Sequence, residues 1–237
     1  MGRFIKTTTG ALILANVAMF VVFAIVAAAC GGQKAALLFG VTANPWPMPW
    51  TLVTYMFTDN SLLNLLFNCL WLWLFSRMFL EIDSERRLLW CYLAGGIGGA
   101  LFFLGGAWLG IGGGILFGAS AAILGILSYA AVRVPYMRIN LMFFGPVKFI
   151  WIGIIAVGLS LLSFASGNIG GGLAHIGGAL AGALYALVLR SRRGRFRIIR
   201  PTEKKTLDEL LDKVRRSGYS SLNADERKQL LDYSKKL

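Results

Sequence analysis

A chain of 237 residues with 57% hydrophobic and 15% charged side chains, and a mean hydropathy of +0.66, falls short of the quarter charged residues usual for soluble domains. Of its 24 Lys and Arg, 15 lie in residues 190–237 and the others mostly in short loops, a pattern that sets membrane topology and supplies no folded basic face for nucleic acid. Cys30, Cys69 and Cys91 are odd in number and far apart, and the single histidine, His175, has no acidic cluster beside it, so neither a disulfide framework, a metal site nor a cofactor is expected.

Apolar windows long enough to cross a bilayer predict six spans, at about 10–30, 61–80, 88–107, 115–134, 148–167 and 170–190. The expected fold is an all-α, polytopic membrane bundle. The first window follows a basic start and ends in "AAAC" at 27–30, which resembles a lipoprotein leader. Its apolar stretch exceeds the 7–15 residues of such a segment, so it is read as a retained span. Residues 31–60 form the longest external loop. Pro45, Pro47 and Pro49 in "NPWPMPW" forbid helix there, while Trp46 and Trp50 suit a headgroup layer.

Basic residues fix the orientation. Arg3 and Lys6 precede the first span, Arg77, Arg86 and Arg87 surround the loop after the second, and Arg133, Arg138 and Lys148 flank the loop after the fourth. Only Lys34 falls on the other side, so both termini are expected in the cytoplasm, with a bacterial inner (plasma) membrane as the setting. The chain divides into a six-span membrane domain, 1–195, and a basic linker with a cytoplasmic tail, 196–237. In the tail, "TLDE" (206–209) and "NADE" (223–226) match the capping box, and Gly218 stands where a first helix should stop. A two-helix hairpin is expected, with Leu210, Leu211 and Val214 facing Leu222, Leu230 and Leu231. Its partner is not legible.

Polar groups inside spans are costly and usually face protein or a wet cavity, so the question is which of them share a depth. His175 lies about five residues, roughly 7 Å, inside the outer end of the sixth span. Ser120, in "FGASAAILG" (117–125), lies about as far inside the fourth. Asn64 and Asn68 fall at i and i+4 on one face of the second, with Ser61 beside them. Ser128 is too deep to join. A serine hydroxyl needs a base to become a nucleophile, and a neutral imidazole suits that task. The developing oxyanion needs preorganised donors, which Asn68, Asn64 and the Ser120 backbone N–H are placed to give. Gly178 and Gly182 form a GxxxG face that lets spans four and six approach, and Gly118 eases the turn before Ser120. Each piece also has a structural counterpart: serines bond back to their own helix, and lone Asn or His residues join helices.

"GAS" opening the fourth span, "AHIGGALAG" opening the sixth and "LLFN" at 65–68 together resemble the rhomboid family of intramembrane serine proteases, over about residues 50–190. The family pattern AHxxGxxxG is met by Ala174, His175, Gly178 and Gly182. The resemblance implies a six-helix rhomboid-like bundle in which Ser120 is the nucleophile, His175 its base and Asn68 an oxyanion donor, acting on single-span or polytopic membrane protein substrates. Departures are specific. Ala121 follows the serine where the family usually has glycine, Leu124 replaces an aromatic that packs on the imidazole, and the Trp-Arg pair of many family first loops is absent. Asp59 and Asn64 stand where the family often has histidines; Asn64 keeps donor capacity, whereas an ionised Asp59 has none. The alternative is a non-catalytic rhomboid-like protein that binds membrane clients. A transporter is disfavoured because no matched pair of broken helices appears.

Overall fold

The computed structural model describes residues 7–141, 145–148, 150–154, 158, 167–192, 207–222 and 224–234. The chain forms two compact units, Met1–Arg192 and Arg193–Leu237. In the first, α1 (Thr8–Cys30) leads through α2 (Gly32–Phe39) and α3 (Thr51–Thr54) to a 3-10 turn at Tyr55–Phe57. Then come α4 (Leu62–Ile82), α5 (Glu85–Trp108), α6 (Ser120–Arg133), the strands β1 (Arg138–Leu141) and β2 (Gly145–Lys148), and α7 (Ile169–Arg192). Four segments, α1, α4, α5 and Ile169–Leu189 of α7, are long and apolar enough to cross a membrane, and α6 is apolar but has only 14 residues. They lie where the first, second, third and sixth spans are expected. Most of the fifth expected span, 148–167, lies outside the described residues; within it, Lys148 closes β2 and residues 150–154 are helical.

Two expectations change in this unit. The fourth span, expected over 115–134, is helical only from Ser120. Leu116 exchanges backbone hydrogen bonds with Val41, at 3.1 and 2.8 Å, and Gly118 has φ +107, a conformation no helix accommodates. The all-α expectation also needs amendment, since β1 and β2 pair antiparallel, with Arg138 opposite Lys148 and Leu141 opposite Gly145. The long loop expected over residues 31–60 is partly helical. It contains α2, and the Trp50 indole donates to the Leu38 carbonyl at 2.9 Å.

α5, α6 and α7 form the centre of the unit, and small residues set their separation. A β-carbon on Gly178 would run into the Ala121 carbonyl, and one on Gly182 into the Gly125 carbonyl. On the other side of α6, a β-carbon on Gly95 would stand 3.1 Å from Ala122 Cα. Main chains in such proximity replace side-chain interdigitation, which is how helices associate where lipid is as apolar as the core. Buried polar groups tie the outer helices on. The Tyr92 hydroxyl donates to the Met56 carbonyl at 2.7 Å, and Asn16 Nδ2 donates to the Leu12 carbonyl at 2.8 Å and to Tyr92 Oη at 3.3 Å. Between α4 and α5, Asp83 accepts from the Tyr129 hydroxyl at 2.7 Å and from Arg87 at 2.7 and 2.8 Å. Burial acts to raise the Asp83 pKa, but the bonds from Tyr129 and Arg87 outweigh it and hold the carboxyl below the ordinary range.

In the second unit, α8 (Leu207–Ser217) ends at Gly218, whose φ of +79 stops the helix, and α9 (Ala224–Ser234) follows the short turn Tyr219–Ser221. Thr206 and Asn223, the expected caps, lie outside the described residues. Leu210 and Leu222 are buried as expected, and Lys213 pairs with Glu226 at 2.8 Å. Leu211 and Leu231, expected to face inward, are 48% and 55% exposed. Two eleven-residue helices have room for only a few inward positions.

Candidate active site

At the end of the bundle where α4 begins, a cavity of about 390 Å³ opens between α4, α6 and α7. Its polar lining includes Asp59, Asn60, Asn64, Asn68, Ser120, Asn168 and His175, and its apolar lining includes Phe67, Phe103 and Phe117. Four of the residues singled out in the sequence, Asn64, Asn68, Ser120 and His175, therefore meet there. Ser61, expected on the same helical face, precedes α4 with extended backbone and is not in the lining.

Ser120 Oγ lies 2.8 Å from His175 Nε2. With Oγ–H as donor, Nε2 is the acceptor and the imidazole proton sits on Nδ1, which is buried and has no hydrogen-bond partner among the described residues. An imidazole lone pair on a serine hydroxyl is the arrangement that general-base activation requires. The local folding explains the meeting. Ser120 is the first residue of α6, so its backbone N–H has no carbonyl one turn earlier to bond. His175 lies between the buried Ala174 and the pair Gly177 and Gly178, on the face of α7 that the glycines press against α5 and α6. Gly118 keeps the approach to Ser120 clear. A β-carbon there would stand 3.4 Å from Asp59 Oδ1, 3.6 Å from Asn68 Nδ2 and 3.9 Å from Ser120 Oγ.

Asn64 and Asn68, one turn apart on α4, present amides to the same space. Asn68 Nδ2 donates to Asp59 Oδ1 at 2.9 Å. Burial pushes the Asp59 carboxyl up from its ordinary pKa, and the Asn68 bond offsets this in part. Ala121 is buried with its methyl directed at Gly99, where any β-carbon would stand 2.7 Å from it; the extra methyl after the serine is thus matched by a missing one on α5. Leu124 is buried in the core. Ser128 is not in the lining.

Asn168 was not singled out from sequence. Its Oδ1 accepts from the Gly171 N–H at 3.0 Å, capping α7 while lining the cavity. The signal was present as an Asn just before an apolar run. Phe67, Phe103 and Phe117, the aromatic walls, left no such signal, because aromatic residues are common throughout the chain.

This constellation, in helices able to cross a membrane, defines an intramembrane protein with a serine–histidine pair in a polar pocket. A family model described as the Rhomboid domain matches residues 47–192, and the chain belongs to the rhomboid family. A second model, described as a family of unknown function (DUF6576), matches residues 194–236. The chain is also similar to RHOMBOID-like protein 12, mitochondrial, from Arabidopsis thaliana. The two are 31% identical over 162 residues, which is 62% of this chain and 48% of the relative, so the chain spans about half the length of the curated relative it matches.

Proposed function

We propose that the protein is a serine endopeptidase of the membrane, hydrolysing peptide bonds in or near the outer part of a substrate's transmembrane helix through Ser120 and His175. The observation that carries this reading is the 2.8 Å approach of Ser120 Oγ to His175 Nε2 at the wall of an amide-lined cavity. In the proposed reaction, Oγ attacks the scissile carbonyl carbon as Nε2 takes its proton. The carbonyl oxygen becomes an oxyanion held by Asn68, Asn64 and the Ser120 N–H. The imidazolium then protonates the leaving amine, and a water activated by the same nitrogen releases the acyl fragment from Ser120. The carbonyl must be reached from an unwound segment, so small or helix-breaking residues are expected around the bond.

Purified protein should react with a fluorophosphonate, with the adduct mapping to Ser120 by mass spectrometry. Wild type that neither labels nor cleaves a membrane substrate with a Gly- or Ala-rich outer segment would favour the non-catalytic, client-binding reading. The oxyanion roles have their own measurement. Asn68→Ala should lower turnover by roughly 10²-fold, the scale for one such donor, and Asn64→Ala by less if Asn68 is the principal one. Unchanged turnover in both would return the amides to helix packing.

In a bacterial inner membrane the proposed orientation has both termini in the cytoplasm. It rests on the loops holding Arg86, Arg87, Arg133 and Arg138 against the single Lys34 opposite. A reporter fused after Leu237 should be active only on the cytoplasmic side, and activity only on the far side would overturn this topology.

A further inference from the structure

We propose that Asp59 is a positioning residue that sets the orientation of the Asn68 amide, and through it the donor available beside Ser120. This rests on the proteolytic reading above. An asparagine side chain has a donor end and an acceptor end of nearly equal shape, and only the donor end stabilises an oxyanion. Something must therefore select which end faces the reacting atoms. Asp59 Oδ1 accepts from Asn68 Nδ2 at 2.9 Å. With the amide flipped, two oxygens would face each other, acceptor against acceptor. Oδ1 serves as acceptor whether the carboxyl is ionised or holds its proton on Oδ2.

The geometry leaves the second Asn68 N–H in the right neighbourhood. Asn68 Nδ2, Asp59 Oδ1 and Ser120 Oγ all lie between 3.4 and 3.9 Å from the point that a Gly118 β-carbon would occupy. That space is open because the residue is glycine. One amide hydrogen is engaged by Asp59, and the other remains for a group bound there.

Stability gives little account of Asp59. It is 2% exposed, and its Oδ2 has no hydrogen-bond partner among the described residues. A carboxyl buried with one hydrogen bond loses more in solvation than that bond returns. Its anchor is firm nonetheless. The preceding residue, Thr58, is buried, donating from its N–H to the Tyr55 carbonyl at 3.1 Å and from its hydroxyl to the Thr54 carbonyl at 2.9 Å. The acceptor is thus held at the end of a short helical turn, with only 2% of the residue exposed.

The test is a set of variants of the full chain, assayed on one cleavable membrane substrate with melting temperatures measured alongside. Asp59→Ala should lower kcat about tenfold with KM unchanged, a fraction of the roughly 10²-fold expected for losing the Asn68 donor outright. Asp59→Asn, whose own carbonyl still accepts, should retain most of the wild-type kcat. In an Asn68→Ala background, Asp59→Ala should cause no further loss, because both act through the same amide. Should Asp59→Ala not fold, Asp59→Leu, similar in shape and without an acceptor, takes its place in the same cycle. A wild-type kcat in Asp59→Ala or Asp59→Leu, or a loss that adds to that of Asn68→Ala, would overturn the proposal while leaving the protease reading intact. An inactive wild type would instead remove the reading on which it rests.

Discussion

Protein carrying His175→Ala should remain folded and yet lose both fluorophosphonate labelling of Ser120 and substrate cleavage, by roughly 10⁴-fold, the scale for disabling the base of a serine nucleophile. The expectation comes from the 2.8 Å contact between Ser120 Oγ and His175 Nε2. Without Nε2 the hydroxyl keeps its proton and its poor nucleophilicity. The histidine variant is more informative than Ser120→Ala, which removes the point of attachment whatever activates it. The same chemistry fixes the sign of the pH response. Imidazolium has no lone pair to accept the serine proton, so wild-type activity should fall on acidification as His175 takes up a proton. Labelling of His175→Ala at the wild-type rate would dissolve the pair as a catalytic unit.

The second large effect is structural. Gly178→Leu or Gly182→Leu should disrupt the packing of α7 on α6, and even alanine at either position should cost about 1–3 kcal/mol or more, the range for forcing atoms into a filled core. At both positions the first added carbon meets a main-chain carbonyl, of Ala121 or Gly125, and not a side chain that could rotate away. Relief requires the helices to separate, which pulls His175 from Ser120. Loss of the folded form in detergent, or loss of labelling in whatever remains folded, is the expected readout. Gly105→Ala, with nothing near its β-carbon position, serves as the control. Equal stability of Gly182→Leu and wild type would show that the spacing of α6 and α7 is not set there.

What could be read in the sequence followed from local periodicity and from depth. The bounds of α1, α4, α5 and α7 were close to the apolar windows, and the GxxxG register placed Gly178 and Gly182 on the α6-facing side. The pairing of Ser120 with His175 was legible because both sit near the same end of their helices. The depth of Ser120 was legible only approximately. The apolar window reads as helix from 115, whereas the exchange between Val41 and Leu116 and the left-handed Gly118 start the helix at Ser120 itself. A backbone pairing across 75 residues leaves no periodic trace. Asp59 shows the same limit. It was visible as a departure from the family pattern, but its bond to Asn68 depends on how the turn after Tyr55 meets α4, and composition does not encode that. In the C-terminal unit, Leu211 and Leu231 had the right periodicity to face inward, yet so small a pair of helices covers only part of its own apolar surface.

The shortness of α6 bears on how reactants are supplied. Fourteen residues extend about 21 Å, against roughly 30 Å of hydrocarbon, so a helix of this length with one end at a membrane face would stop well before the other. On the proteolytic reading, hydrolysis of an acyl-serine at its tip would draw on the small reservoir beside it. A space of about 390 Å³ has room for several water molecules. A substrate helix lying over that space would also be its stopper. On the proteolytic reading, the reservoir refills only when the severed end drifts off, and the pace of the cycle then belongs to that departure more than to the bond-breaking itself.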